Sequence, residues 1–460
     1  MKSESEIKSL KLRNMPMGKL IFSMSLPAIF SMLIQALYNI IDTMYVSNYD
    51  KSGNGVVALG YAFIIQTIVL ALALGIGIGA NILISRRLGE DRIDDASNIA
   101  RTSLLMSFGV GVVILFCGFF IPNWFMKLSS GVEVVQDYGI EYLEIIMFLS
   151  IFMIIEINIS KMLQSMGRMI VPMLSQLVGA IVNIILDPIF IFNLGLGIKG
   201  AAIATVLGQF AAFMIVLVYV LTHKLDITLN YKNYKFKFVD MEKTFFSGIP
   251  TIVMNSLSAI INIVLYALLR KLDPSEQSIG VLSLFFKLQS FVFMPIFGLT
   301  QGGLPILSYN FGANLQKRFK KGLMILYVTA MSVMVVGFML FQFAPNFILS
   351  MFTLEVEIMD MGRNALKIMS FLFLTAGLSV ISITAFQSIG YGTNALLMSV
   401  LRQAGLLIPF AFILSSFMGV NGVWLAYPLS ESLCTIIFLP ILFICYKKAF
   451  EKKNKELYVE

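Results

Sequence analysis

Charged residues are scarce: only 13% of the 460 residues are Asp, Glu, Lys or Arg, whereas soluble domains carry about a quarter. Hydrophobic residues make up 58% of the chain, and the mean hydropathy is +0.86. This composition excludes a soluble globular protein. Apolar runs of about 20 residues, the length that crosses a bilayer as a helix, recur along the chain with short polar gaps.

Histidine and cysteine are also rare, with one histidine and three cysteines. His223 falls in a polar gap, whereas Cys117, Cys434 and Cys445 fall inside apolar runs. We therefore expect no disulfide framework, no metal site of cysteine and histidine, and no nucleophile with a histidine base. No phosphate-binding glycine motif is present either. These absences argue against a membrane enzyme, and we expect no catalytic residue and no cofactor.

Twelve apolar runs predict twelve transmembrane helices and hence an all-α integral membrane fold. The runs are apolar on all sides, which favours helices over barrel strands of alternating polarity. The predicted spans of the first half are 19–46, 56–84, 101–121, 140–163, 169–193 and 197–221. Those of the second half are 245–270, 279–308, 321–343, 364–386, 394–416 and 419–446. The expected organisation is an N-terminal segment 1–18, an N-lobe 19–221, a linker 222–243, a C-lobe 244–446 and a tail 447–460.

The net charge of +8 comes from basic residues that concentrate in alternate loops. The basic loops contain Lys2, Lys8, Lys11, Arg13, Lys19, Arg86, Arg87, Arg92, Arg101, Lys317, Arg318, Lys320, Lys321, the linker and the tail. The opposite loops have fewer cations and hold the acidic stretches 133–144 and 355–360. By the positive-inside rule, both termini are cytoplasmic in a multi-pass protein of the cell membrane. Membrane lipids are thus expected partners, and nucleic acid is not. We expect no cleavable signal peptide, because the first apolar run has full transmembrane length.

The chain contains an internal repeat with a shift of 223 residues. The register continues without a gap from the first predicted span to Gly167 and Gly390. Matching pairs include Pro27 and Pro250, Asn39 and Asn262, Gln66 and Gln289, Gly75 and Gly298, Gly79 and Gly302, Ser85 and Ser308, and Gly89 and Gly312. Because each repeat has six helices, both halves enter and leave on the same side and are parallel repeats. In transporters of this build, substrate binds between halves that rock to alternate access.

The linker mixes lysines with Tyr231, Tyr234, Phe236 and Phe238. Such a mixture suits a segment that lies at the level of the lipid headgroups. A solvated connector between the two lobes is the alternative interpretation.

Ionisable residues inside membrane spans are energetically costly and indicate functional sites. The predicted spans contain six that we single out: Asp42, Glu156, Asp187, Lys287, Arg402 and Glu431. We expect Glu156 to lie nearer the cytoplasm, beside Asn158 and Lys161. We expect the Arg402 side chain to extend back to the cytoplasmic headgroups. Lys287 is expected to pair with Glu431 near mid-depth, because an unpaired buried charge is costly. Glu431 is also a candidate for attracting a cationic substrate.

Two of these acids have amide neighbours on the same helix face. Asp42 lies three residues after Asn39 and four after Tyr38, and Asp187 lies four residues after Asn183. The helical rise places both acids in the outer half of the membrane, at depths that overlap with Thr205. Carboxylate, amide and hydroxyl oxygens suit a hard cation, and two nearby buried carboxylates favour taking up a proton. The sequence thus predicts a site for a sodium ion or a proton; ordinary buried acids tied to amides are the alternative.

Five sequence runs are informative when taken together: 27–42 (PAIFSMLIQALYNIID), 164–168 (QSMGR), 183–192 (NIILDPIFIF), 304–313 (LPILSYNFGA) and 431–433 (ESL). These runs resemble the multidrug and toxic compound extrusion (MATE) family in its DinF-like and MepA-like branches. The resemblance implies a twelve-helix antiporter, expected to be a monomer, that exports cationic or amphipathic drugs in exchange for sodium ions or protons. It also implies that Asp42, Asn183, Asp187 and Thr205 form an ion site of the N-lobe.

We add Gln35, Tyr38 and Asn39 as supporting residues, and Pro27 and Pro188 as hinges. The ion site is expected in the first half alone, because the repeat aligns Asp42 with Leu265 and Asp187 with Phe410.

A flippase for lipids or lipid-linked oligosaccharides is the nearest alternative function. It would need a wide cationic groove for phosphates, whereas the cations that we single out within the spans are Lys287 and Arg402 alone. A scaffold without transport activity is the remaining class, and the acid pair argues against it. The sequence leaves open whether sodium or protons are coupled.

Overall fold

The computed structural model describes residues 11–50, 54–275, 277–350 and 356–459, and every regular element in these residues is a helix. The helices of the first half are α1 (Met17–Tyr49), α2 (Asn54–Gly89), α3 (Ile93–Cys117), α4 (Ile121–Ser129), α5 (Glu133–Ser165), α6 (Ile170–Pro188) and α7 (Gly197–Thr222). Those of the second half are α8 (Phe238–Leu272), α9 (Gln277–Gly312), α10 (Gln316–Phe343), α11 (Pro345–Ser350), α12 (Val356–Ser370), α13 (Phe373–Ser388), α14 (Gly392–Val400), α15 (Ile408–Met418) and α16 (Val420–Val459).

The described residues contain eleven helices that are long and apolar enough to cross a membrane. A twelfth span forms if 359–370 and 373–388, which are bent by 49° at a short break, count together. The all-α, multi-pass membrane fold predicted from the sequence is therefore confirmed. The last helix differs in extent: α16 continues to Val459, so a helix also occupies most of the segment that we predicted as a separate tail.

Two of the spans contain a π-helical segment. One, Ile189–Asn193, continues α6 directly after Pro188, and the other, Leu401–Leu407, joins α14 to α15. Such wide turns inside membrane helices are frequent at functional sites. Both lie in the fifth predicted span of their half. The first follows Asp187 closely, and the second contains Arg402.

The 223-residue repeat is visible in the backbone. Asp91 and Asn314 are 223 positions apart and are the two non-glycine residues with positive φ in the described chain, at 57° and 53°. The corresponding turn hydrogen bonds join the same positions, from the Arg92 nitrogen to the Arg87 oxygen at 2.9 Å and from the Leu315 nitrogen to the Asn310 oxygen at 2.9 Å. The two halves thus end the second span with the same turn.

Contacts within the chain define two compact units. The first contains the described residues 11–15 and 26–252, and the second contains 16–25 and 253–459. As a result, α1 and α8 each pass from one unit to the other within three residues of a proline, at Pro27 and at Pro250. These prolines occupy the same position in the repeat, and neither can donate the usual helical hydrogen bond.

Candidate ion-coupling site

Two glycines bring α6 and α7 together in the first unit. A Cβ atom on Gly208 would lie 2.6 Å from the Gly179 carbonyl oxygen and 3.1 Å from the Asn183 Cβ. A Cβ atom on Gly179 would in turn lie 2.9 Å from the Gly208 oxygen. Only glycine permits this approach of the two backbones, as is usual where membrane helices pack closely. The contact places Asn183, one turn after Gly179, directly against α7.

Three of the predicted ligands meet at this contact. The Asn183 Nδ2 donates to Asp187 Oδ1 at 3.3 Å, and it lies 3.5 Å from Thr205 Oγ1. All three side chains are buried, and Asp187 has no exposed surface. The predicted i, i+4 pairing of Asn183 with Asp187 and the match in depth with Thr205 are therefore present in the structure.

Helix α1 adds Asp42 and Tyr38 to the same site. The Asp42 and Asp187 carboxylates are close enough to interact electrostatically, and so are Tyr38 and Asp42. Gln35 is half-buried on the same helix. The side chain of Asn39 lies outside the described part of the structure, so its supporting role stays a prediction.

Three oxygens of this site are buried without a hydrogen-bond partner. They are Asp42 Oδ1, Asn183 Oδ1 and Asp187 Oδ2. Buried polar atoms in folded proteins are nearly always paired, so three unpartnered acceptors in one place are atoms that a cation or a protonated group could engage. Within the described residues, no three or more His, Cys, Asp or Glu side chains are arranged so that they could hold a metal ion together. The candidate ligands are thus two carboxylates with neutral oxygens, a set that fits a sodium ion or a proton.

Two further residues complete the surroundings of the site, and the sequence did not single them out for it. The Tyr142 hydroxyl on α5 accepts a hydrogen bond from Gln66 Nε2 on α2 at 3.1 Å. Tyr142 is buried and also interacts electrostatically with Asp42. The repeat drew attention to Gln66, which matches Gln289, but nothing in the sequence spacing linked Tyr142 to Asp42.

A family model called MatE matches the chain twice, at residues 27–189 and 250–413. The chain belongs to the MatE family. The two matches begin 223 residues apart, which is the period of the internal repeat. The family resemblance that the five sequence runs indicated is thereby confirmed, and the membership covers both halves.

Curated relatives of this MatE protein match over nearly its whole length. The Multidrug export protein MepA of Staphylococcus aureus (strain MSSA476) is 25% identical over 430 residues, which span 93% of this chain and 94% of that protein. MepA of Staphylococcus haemolyticus (strain JCSC1435) is 24% identical over 425 residues, spanning 92% of this chain and 93% of the relative. These relatives are named as transport proteins.

Solved structures share the fold. One is a MOP superfamily transporter from Pyrococcus furiosus Vc1 (DSM3638), whose binding pocket is described as reversed in polarity. It has a TM-score of 0.91 and 21% identity, over 98% of this chain and 99% of that chain. An outward-facing multidrug resistance MATE family transporter has the same TM-score and identity, over 98% of this chain and 100% of that chain. The likeness establishes the MATE fold.

Glu156 of this MatE chain forms a second buried polar cluster, separate from the acid pair. Its Oε1 accepts hydrogen bonds from Ser160 Oγ at 2.7 Å and from Ser175 Oγ at 2.9 Å, so it links α5 to α6. Lys161 is buried nearby and donates to Gln164 Oε1 at 3.1 Å. Unlike the acid pair, Glu156 Oε1 is thus fully engaged by hydroxyl donors.

The charge pair of the second half differs from the prediction. Glu431 pairs with Arg402, whose Nη1 lies 3.4 Å from both Glu431 oxygens, and Ser379 Oγ donates to the same carboxylate. Lys287 is exposed on α9 and is not the partner of Glu431 in the described structure. The predicted pairing with Lys287, and the predicted extension of Arg402 to the headgroups, are therefore wrong. Arg402 lies in a π-helical segment rather than in a regular α-helix.

Proposed function

We propose that this protein is a secondary active multidrug exporter that couples efflux to sodium ions or protons at Asp42, Asn183, Asp187 and Thr205. The three buried oxygens without partners, on Asp42, Asn183 and Asp187, support this most directly. Membership of the MatE family and the MepA relatives, which are named multidrug export proteins, support the export function.

The chemistry of coupling follows from the charges. Two buried carboxylates that interact with each other repel and lose solvation, so neutralisation by one cation is strongly favoured. A sodium ion would take Asp42 Oδ1, Asn183 Oδ1 and Asp187 Oδ2 as ligands, with Thr205 Oγ1 as a neutral fourth. A proton would instead convert one acid into a donor for the other's orphaned oxygen. Either ion removes the same repulsion, so the site serves both.

Ion binding would be transmitted through α1. Asp42 and Tyr38 lie on the outer part of this helix, and Pro27, which lacks the backbone donor, lies between them and the predicted cytoplasmic end. Pro188 precedes the π-helical segment beside Asp187. We propose that neutralisation of the acid pair repacks α1 about Pro27, with Pro188 as the second hinge, and so releases the drug.

The substrates we propose are cationic or amphipathic small molecules, carried by rocking of the two halves in a monomer with both termini in the cytoplasm. Concentration of lysine and arginine in alternate loops supports that orientation. The second half has no acids at the positions of Asp42 and Asp187, which supports coupling through the first half alone.

Reconstituted vesicles test this function. Ethidium efflux should be followed first under an imposed sodium gradient and then under an imposed proton gradient of equal size. We expect efflux under at least one of the two. Efflux under neither gradient, from protein that is folded by its size-exclusion profile, would contradict the antiporter function.

A further inference from the structure

A cavity of about 510 Å³ lies between the first turns of α3 and the linker that follows α7. Its charged lining consists of Asp94, Asp95 and Arg101 from α3 and of Lys232, Lys235 and Lys237 from the linker. The cavity belongs entirely to the first unit and lies on the side predicted to be cytoplasmic. Four cations face two carboxylates, so an anion is the ligand that the lining favours.

The carboxylates do not neutralise this lining. Asp95 is already paired: its Oδ2 lies 2.5 Å from Arg92 Nη2, and its Oδ1 lies 3.7 Å from Lys237 Nζ. Asp94 is exposed to solvent at the start of α3. Lys232 and Lys235 form no ion pair within the described residues and are exposed around the cavity. Two exposed cations are thus available to a ligand.

Arg101 is the strongest indication that an anion binds in this cavity. It is buried, with 8% exposure, and lacks an acidic partner in the described structure. Its Nε donates to the Ser97 oxygen at 3.1 Å and its Nη1 to the Asn230 oxygen at 2.7 Å. The guanidinium also lies over the Tyr234 ring, 5.6 Å from the centroid. These contacts fix its orientation without cancelling its charge. A buried guanidinium without a counter-ion is costly, and its planar fork matches a phosphate group.

Exposed aromatic residues beside the cavity indicate that the phosphate belongs to a lipid rather than to a soluble compound. Phe236 and Phe238 alternate with Lys235 and Lys237 along the linker and are 57% and 63% exposed. Large apolar side chains next to lysines are typical of a segment that lies at the headgroup level, with rings in the acyl boundary. A soluble phosphate compound would make no use of these rings.

We propose that this cavity binds the phosphate of an anionic phospholipid of the cytoplasmic leaflet, with Arg101 fixing the phosphate and Lys232 and Lys235 adding charge. The site is separate from the acid pair and does not depend on ion coupling. It gives the linker between the two halves a fixed place on the membrane.

Purified full-length protein in detergent, titrated with short-chain phosphatidylglycerol, tests the site. The variant K232Q/K235Q changes only exposed residues, and K317Q/K320Q removes the same charge from exposed positions on α10. We expect K232Q/K235Q to bind phosphatidylglycerol about tenfold more weakly, as for the loss of two lysines facing an anionic lipid, and K317Q/K320Q to bind like the wild type. Equal binding by both variants would overturn the proposal.

Two further arms separate the sources of phosphate and the role of Arg101. Phosphatidylcholine of the same chain length should bind much more weakly than phosphatidylglycerol, and inorganic pyrophosphate should compete only weakly. If pyrophosphate binds in a manner sensitive to K232Q/K235Q while the two lipids bind alike, the lipid source is overturned. R101K keeps the positive charge but loses the planar guanidinium fork. We therefore expect weaker phosphatidylglycerol binding with an unchanged size-exclusion profile. Binding as strong as that of the wild type would contradict the assignment of Arg101.

Discussion

Asn183 donates its amide nitrogen to one oxygen of Asp187 at 3.3 Å, while the remaining side-chain oxygen of each residue is buried without a partner. The pair is therefore only half satisfied. Buried networks with unmet acceptors are unfavourable in a low-dielectric site, and Asp42 adds a third such oxygen. These unmet acceptors support the proposal that the residues form a ligand site.

The Gly208 position gives a direct test of how the site is assembled. In G208A, the new methyl group would lie 2.6 Å from the Gly179 backbone oxygen, so α6 and α7 must separate. We expect a loss of roughly 1 to 3 kcal/mol in stability, as for an overpacked core, together with reduced transport. The measurement is the thermal unfolding midpoint in detergent.

G60A is the matched control for that change. Gly60 is exposed on α2, and no atom lies within 4 Å of a Cβ placed on it. Replacing a helical glycine by alanine there should be neutral or stabilise by up to about 1 kcal/mol. If G208A and G60A shift the midpoint equally, the close packing of α6 and α7 does not determine the geometry of the site.

The sequence predicted the helices from the length and spacing of the apolar runs, whereas the full set of candidate ligands, Asp42, Asn183, Asp187 and Thr205, was implied by the resemblance to the MATE family. Asp187 and Asn183 share a face by the i, i+4 rule, and their distance of 3.3 Å confirms it. The partner of Glu431 was mispredicted because the sequence does not show which helices pack together: Arg402, in the π-helical segment Leu401–Leu407, lies against Glu431 of α16. Tyr142 was missed for the same reason, since its hydrogen bond with Gln66 joins α5 to α2.

The Arg402 and Glu431 pair should behave as a buried ion pair. Both side chains are nearly buried, with 14% and 11% exposure. Because removal of one partner leaves an uncompensated charge, R402Q and E431Q should each destabilise the protein by several kcal/mol, on the order of 3. The double variant R402Q/E431Q should recover part of that loss in thermal unfolding.

K287Q serves as the control for this pair, since Lys287 is exposed and carries the same charge as Arg402. We expect K287Q to unfold like the wild type. A loss in K287Q as large as in R402Q, or strictly additive losses in the double variant, would count against the pairing seen in the structure.

Arg168 should hold the start of the linker against the first unit. Its Nη2 donates to the Lys224 oxygen at 2.8 Å and lies 3.8 Å from Asp226, with both side chains buried. R168Q removes these contacts, so we expect trypsin to cut the linker at Lys224 several-fold faster than in the wild type, measured by gel under native conditions. R13Q removes an exposed ion pair with Asp91 and should leave the rate unchanged. Equal rates in all three proteins would show that Arg168 does not anchor the linker.

Gradient-driven ethidium efflux in proteoliposomes that contain D187N is the most direct test of coupling at the acid pair. D137N is the control, because Asp137 is an exposed acid on α5 that undergoes the same change. We expect D187N to lose the response to the sodium or proton gradient by about tenfold or more, the scale of a strong coupling free energy, while D137N keeps it. A D187N protein that still exports ethidium at the wild-type rate under either gradient would contradict the account.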